Sequence, residues 1–224
     1  MNTAYFLTGT DTEVGKTFIT CALLRRGAQR GLRTAGVKPV AAGTDADGRN
    51  EDIEAIRTAS SVALPPAIIN SYCFRDFVAP HIAAAEKGVV IDIDAIVTAS
   101  RTAQEATDLL IVEGVGGFRV PLGVDRDSAD LAVALGLPVI LVVGLRLGCI
   151  NQALLTGEAI ARRGLELAGW VANCIDPAMT HQDENIEALV NRLDGPLLGV
   201  VPHVPGSDPG LAAGHLVLPG VRGI

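Results

Sequence analysis

Gly15-Lys16-Thr17 follows an apolar run, Ala4 to Leu7, and opens an amphipathic stretch. At a strand-to-helix turn these residue types suit a polyphosphate: backbone N–H groups and the helix dipole converge on one small volume, and an ammonium adds a point charge. Lys16 is placed to reach the terminal phosphates, and the Thr17 hydroxyl offers the hard oxygen that Mg²⁺ requires. The spacing departs from the Walker A pattern. Gly9 and Gly15 enclose five residues, and Thr10 stands where the first glycine usually does.

Further candidates follow apolar runs. Lys38 closes Thr34 to Lys38 and is stiffened by Pro39; it reads as a site ammonium or as a solvated strand-end lysine. The chain has fifteen arginines but only three lysines, Lys16, Lys38 and Lys87. Under an arginine-favouring bias, lysines persist where a compact charge cannot be exchanged for a planar fork. Glu113 follows Leu109-Leu110-Ile111-Val112, the place for a second Mg²⁺ support, and Gly114, Gly116 and Gly117 then permit close backbone approach. Asp52 reads more simply as a first-turn helix acid than as a metal ligand. Gly144 to Asn151 leads into a helix starting near Asn151, which fits either an anion site or a plain Asn151 N-cap. Asn173, ending Trp170-Val171-Ala172, suits an adenine edge or a turn, and Trp170 suits the core. The four histidines have no metal-ligand spacing.

Positioning these residues requires alternating strands and helices. Ala4 to Thr8, Thr34 to Lys38, Leu109 to Val112, Leu167 to Ala172, Val139 to Val143 and Leu198 to Val201 read as strands. Lys16 to Arg30, Glu51 to Ser60, Ile91 to Glu105, Gln152 to Arg163 and Gln182 to Leu193 read as helices, with a shorter one after Pro80. Ala41 to Asn50 reads as a surface loop. The Pro/Gly-rich tail from Pro202 reads as irregular and crossing the sheet's carboxyl edge. Continuous apolar strands between helices mean a mostly parallel sheet covered by helices on both faces, a three-layer α/β arrangement of the P-loop NTPase-like kind. Residues 1–224 are expected to form one such domain.

The formal net charge of −7 argues against nucleic acid or an anionic membrane as partner. Leu131 to Leu145, broken by Gly136 and Pro138, is too short to span a bilayer and reads as a helix end followed by a buried strand. A cytoplasmic location is expected, with no export signal. The four cysteines lack CxxC pairing and are expected to be reduced, small apolar residues.

Together, Thr8 to Thr17, Gly36-Val37-Lys38-Pro39-Val40, Pro80-His81-Ile82, Val112 to Gly117, Pro138 to Gly144, Leu147 to Asn151 and Gly169 to Asn173 resemble the dethiobiotin synthetases of biotin biosynthesis. The resemblance runs to about Pro202 and includes the extra loop residue, which is that family's own form. It implies a reaction of ATP, CO₂ and 7,8-diaminopelargonic acid through a carbamate and a carbamic-phosphoric anhydride to dethiobiotin, ADP and phosphate. It implies that Glu13, Val14, Gly15, Lys16, Thr17 and Phe18 line the phosphates. Thr17, Asp52 and Glu113 match Mg²⁺ ligands, Lys38 the active-site lysine alongside Lys16, and Thr12 a substrate-contacting threonine. The nucleotide site extends to Gly114, Val115 and Gly116, and its adenine region to Asn173, Cys174, Pro202, His203 and Val204. Leu147, Gly148, Cys149, Ile150 and Asn151 match the segment that receives the substrate carboxylate from the second subunit of a homodimer with shared sites.

Ala42 stands where the family commonly has a serine, and His203 where an aromatic such as tryptophan occurs. A ParA/MinD-type ATPase switch is the alternative on the same sheet, but its loop carries an early lysine where this chain has Thr10 and Asp11. A cobyrinate-pathway amide synthetase needs a glutaminase domain for which 224 residues leave no room, and no Asn-Lys-x-Asp element supports a G protein.

Overall fold

A computed structural model describes residues 2–203 and 208–220. Six parallel strands form the sheet: β1 (Thr3–Gly9), β2 (Thr34–Val37), β5 (Leu109–Gly117), β6 (Val139–Gly144), β7 (Leu167–Asn173) and β8 (Leu197–Val201). Their order is β2-β5-β1-β6-β7-β8. Every residue of β6 is buried, as a central strand covered on both faces requires. The chain leaves β1 toward β2 on one side, and later strands extend the other side. The carboxyl end of β1 is therefore the switch point where open α/β sheets bind ligands.

Helices α1 (Lys16–Gln29) and α2 (Glu51–Ala59) cover one face, packing Ile19, Leu23, Leu24 and Ile56 on Leu7, Ile111 and Val142. The other face carries α5 (Ile93–Glu105) and α6 (Ser128–Leu135) over Phe6, Leu110 and Val112. It continues with α7 (Cys149–Arg162) and α8 (Gln182–Val190) over Leu141, Val143 and Trp170. The expected strands and helices form within a few residues of their expected ends, and Trp170 is fully buried.

Two expectations change. The start of the Ala41–Asn50 loop is strand β3 (Val40–Ala42), which pairs in parallel with β4 (Tyr72–Phe74) as a separate two-stranded sheet. Between them lies the short α3 (Pro66–Ile69), and α4 (Pro80–Glu86) follows β4. Beyond Pro202 and His203, the described part of the tail is not irregular. It forms α9 (Pro209–Ala212) and a 3₁₀ turn (Ala213–His215), burying Ala212, Leu216 and Leu218 in the α1 core, and ends with Tyr5 donating its hydroxyl to the Pro219 carbonyl at 2.9 Å. All four cysteines are free thiols, Cys73 exposed and the other three buried. No described helix is long and apolar enough to cross a membrane.

Candidate active site

The loop from β1 to α1 lies over the sheet's carboxyl end. Glu13 and Gly15 take left-handed backbone, with φ of 60° and 85°. Gly15 N-caps α1 without a capping side chain, so the positive end of the helix faces the loop's hollow. A Cβ on Gly15 would lie 2.3 Å from Asn173 Nδ2. Glycine is thus required by both backbone angle and space. Asn173 donates that nitrogen to the Val14 carbonyl at 2.9 Å, tying the loop to the end of β7. Lys16 Nζ donates to the Asp11 carbonyl at 2.9 Å, spanning the hollow. Burial pushes the Lys16 pKa down to about 8, against the pull of Glu113.

Beside the loop, β5 brings up Glu113. Leu7 pairs with Glu113 but Gly9 with Gly117, so β5 bulges through its glycines. Gly116 has φ 60°, and a Cβ there would lie 2.9 Å from Val120 Cγ2 and 3.6 Å from the Thr12 hydroxyl oxygen. The bulge therefore brings Thr12 alongside β5. Glu113 Oε1 accepts from Thr17 Oγ1 at 2.7 Å and from Lys38 Nζ at 2.9 Å. Lys38 Nζ also pairs with Asp52, which stands in the first turn of α2 behind its N-cap Asn50. Burial opposes charge on Lys38, but Glu113 and Asp52 outweigh it and raise the pKa. Burial also opposes charge on Asp52, and the ammonium of Lys38 more than offsets it, holding the carboxyl below its ordinary range.

Residues distant in sequence, Lys16, Thr17, Lys38, Asp52 and Glu113, are thus assembled at one strand edge. The two readings of Asp52 are compatible, since a first-turn acid of α2 is also a member of this cluster. The residues also suit a hard divalent ion. Glu113 Oε2 is buried with no hydrogen-bond partner, leaving an anionic oxygen beside the Thr17 hydroxyl. Among the described residues no three His, Cys, Asp or Glu side chains are grouped to hold a metal alone. Such an ion would need phosphate oxygens as well.

Gly15, Phe18, Asn173, Cys174, Ile175, Pro202 and His203 line a cavity of about 200 Å³ beside the loop. This gathers most of the expected adenine region, adds Ile175, and leaves Val204 outside the described residues. Ala42 lines a different cavity of about 240 Å³, shared with Thr44, Asp52 and Phe77. Phe77 is 86% exposed, and its ring approaches Gly43 so closely that a Cβ there would lie 2.3 Å from it. Sequence reasoning missed Phe77.

The start of α7 differs from the simple capping alternative. Gly148, with φ 96°, is the N-cap, and Asn151 lies inside the first turn, exposed. The left-handed turn at Gly148 starts the helix earlier than an Asn151 cap would. Cys149 is fully buried, so its side chain faces the core, while Leu147 is 96% exposed.

A family model described as an AAA domain matches residues 3–210. The ATP-dependent dethiobiotin synthetase BioD of Aromatoleum aromaticum is 59% identical over 220 residues, covering 97% of this chain and 98% of that protein. This chain belongs to the dethiobiotin synthetase family. Among solved structures, MinD of Aquifex aeolicus aligns with a TM-score of 0.58 at 17% identity, over 96% of this chain and 88% of that one. A ParA family ATPase of Chlorobium tepidum aligns with a TM-score of 0.55 at 11% identity, over 95% and 90%. At such identities the likeness establishes the P-loop NTPase-like fold alone. Membership in the dethiobiotin synthetase family rests on the relative.

Proposed function

We propose that this chain, acting as one domain, uses ATP and Mg²⁺ to carboxylate 7,8-diaminopelargonic acid and close it to dethiobiotin, releasing ADP and phosphate. The reading rests above all on the cluster of Lys16, Thr17, Lys38, Asp52 and Glu113 in a chain 59% identical to a dethiobiotin synthetase. One substrate amine adds to CO₂ and loses a proton, giving a carbamate. A carbamate oxygen attacks the γ-phosphorus and the bond to ADP breaks. The second amine then attacks the carbamoyl carbon, closing the ring as phosphate leaves with its oxygen.

Each residue has a physical task. Carbamate and γ-phosphate are both anions, so their approach needs fixed positive charge. Lys16 and the start of α1 supply it at the phosphates, with Glu13 to Phe18 forming the cradle. Lys38 supplies it on the substrate side, where Thr12 and Ala42 would line the site. Thr17, Asp52 and Glu113 would hold Mg²⁺, which neutralises phosphate charge when bound. Gly114, Val115 and Gly116 allow close approach beside the phosphates. Asn173, Cys174, Pro202, His203 and Val204 receive the adenine.

The carboxylate at the substrate's far end goes to the Leu147–Asn151 segment of a second subunit, where backbone N–H groups of the α7 first turn and its dipole receive an anion without a lysine. Leu147, just before α7, and Leu155 within it are 96% and 58% exposed, apolar surface that another copy in a homodimer would cover. Nucleic acid and membrane have no part in this reading, and a cytoplasmic location fits it. The test is product formation with each component omitted in turn. ADP and dethiobiotin should appear in equal amounts only with the diamino acid, bicarbonate, ATP and Mg²⁺ together; ATP hydrolysis indifferent to the diamino acid would reject the reading.

A further inference from the structure

The Gly-Lys-Thr end of the phosphate loop is held by α1, but its outer half, residues 10–13, depends on a different anchor. Asp11 Oδ1 accepts the Thr12 N–H at 2.8 Å, while Asp11 Oδ2 accepts from Arg146 Nη2 at 2.8 Å and from Gln152 Nε2 at 3.2 Å. Arg146 follows β6 and Gln152 lies in α7, so this carboxylate fastens the loop to another strand-to-helix connection. Other support is sparse. Thr10 N–H donates to the Val142 carbonyl at 3.0 Å, and the Thr10 hydroxyl is buried with no partner. Glu13 holds a left-handed backbone that a non-glycine residue keeps only when its surroundings impose it. The carbonyl of Asp11 also receives Lys16 Nζ, so a shift of Asp11 would move the ammonium meant for the phosphates.

We propose that Arg146, acting through Asp11, is a positioning residue for the nucleotide: it fixes the outer half of the phosphate loop and neutralises a carboxylate that would otherwise face incoming phosphates. The inference rests on reading this loop as the ATP site. Arg146 is assigned no contact with reacting atoms, so its loss should weaken nucleotide binding rather than abolish chemistry.

The test is calorimetric titration of the full chain with a nonhydrolysable ATP analogue and Mg²⁺, with melting curves as a folding control. R146M should weaken binding about three- to tenfold, between the contribution of an exposed ion pair and that of a buried charge-assisted hydrogen bond. R146K should recover most of that loss, and in steady state R146M should raise the KM for ATP with kcat changed less than about twofold. In a D11A background, which removes both the acceptor oxygens and the charge, R146M should change affinity by less than about twofold, because the linkage is already broken. Wild-type affinity in R146M, or an undiminished R146M effect in D11A, would overturn the proposal. Failure of the wild-type chain itself to bind the analogue would reject the nucleotide reading and this proposal with it.

Discussion

Replacing Lys38 by Met removes the ammonium between Asp52 and Glu113 while keeping the length of the side chain. The Lys38 and Glu113 side chains are 6% and 0% exposed, so this pair lies out of water; Asp52, at 44%, is screened and adds little. Removing one partner of a buried ion pair costs about 3–5 kcal/mol, mainly because the remaining charge stays buried. The Thr17 hydroxyl still serves Glu113 at 2.7 Å, which favours a smaller loss of about 2–3 kcal/mol. In a chain of 224 residues that lowers Tm by roughly 5–10 °C. The double variant K38M/E113Q removes both charges and should recover much of the loss. Scanning calorimetry of both singles and the double in Mg²⁺-free buffer checks this. A K38M melting temperature within about 1 °C of wild type, or a double variant as unstable as the sum of the singles, would refute the electrostatic argument.

Three further predictions concern nucleotide and subunits. K16A should fold normally, as melting curves will show, yet lose about a hundredfold or more in kcat through lost stabilisation of the transferring phosphoryl group; near-normal turnover contradicts that role. Phosphates select the protonated form of Lys16, whose pKa burial lowers to about 8, so affinity for an ATP analogue should hold below that pH and fall above it, by up to about tenfold per unit. Titrations spanning about pH 7 to 9.5 decide, and constant affinity rejects the assignment. For the shared-site dimer, K16A and a bulky N151W variant are refolded together. Random mixing should restore about a quarter of full activity, because each heterodimer regains one intact site, whereas sites confined to one chain restore none.

What could be read from the sequence was mostly local. Gly15-Lys16-Thr17 announces itself because strand, turn and helix are contiguous, and the apolar runs of β5 and β6 are buried strands by pattern alone. Ambiguity arose where one residue type serves two local purposes. Asp52 satisfies the first turn of α2 and also meets Lys38, and only the fold brings Lys38 to it. Asn151 resembles a cap, but the left-handed backbone of Gly148 starts α7 first. Strand β3 was hidden because Val40–Ala42 is short and its partner is remote, and the link from Asp11 to Arg146 spans 135 residues with no local signal at either end. The tail misled because proline and glycine mark irregular backbone without marking where Leu216 and Leu218 will be buried.

The central claim is that ATP activates a carbamate oxygen, and oxygen-18 tests it most directly. In a single turnover, labelled CO₂ is mixed rapidly with enzyme, diamino acid, Mg²⁺ and unlabelled ATP, before exchange with water removes the label. If the carbamate attacks the γ-phosphorus and the second amine then displaces phosphate, the released phosphate carries one labelled oxygen derived from CO₂. Unlabelled phosphate alongside labelled dethiobiotin would contradict the account.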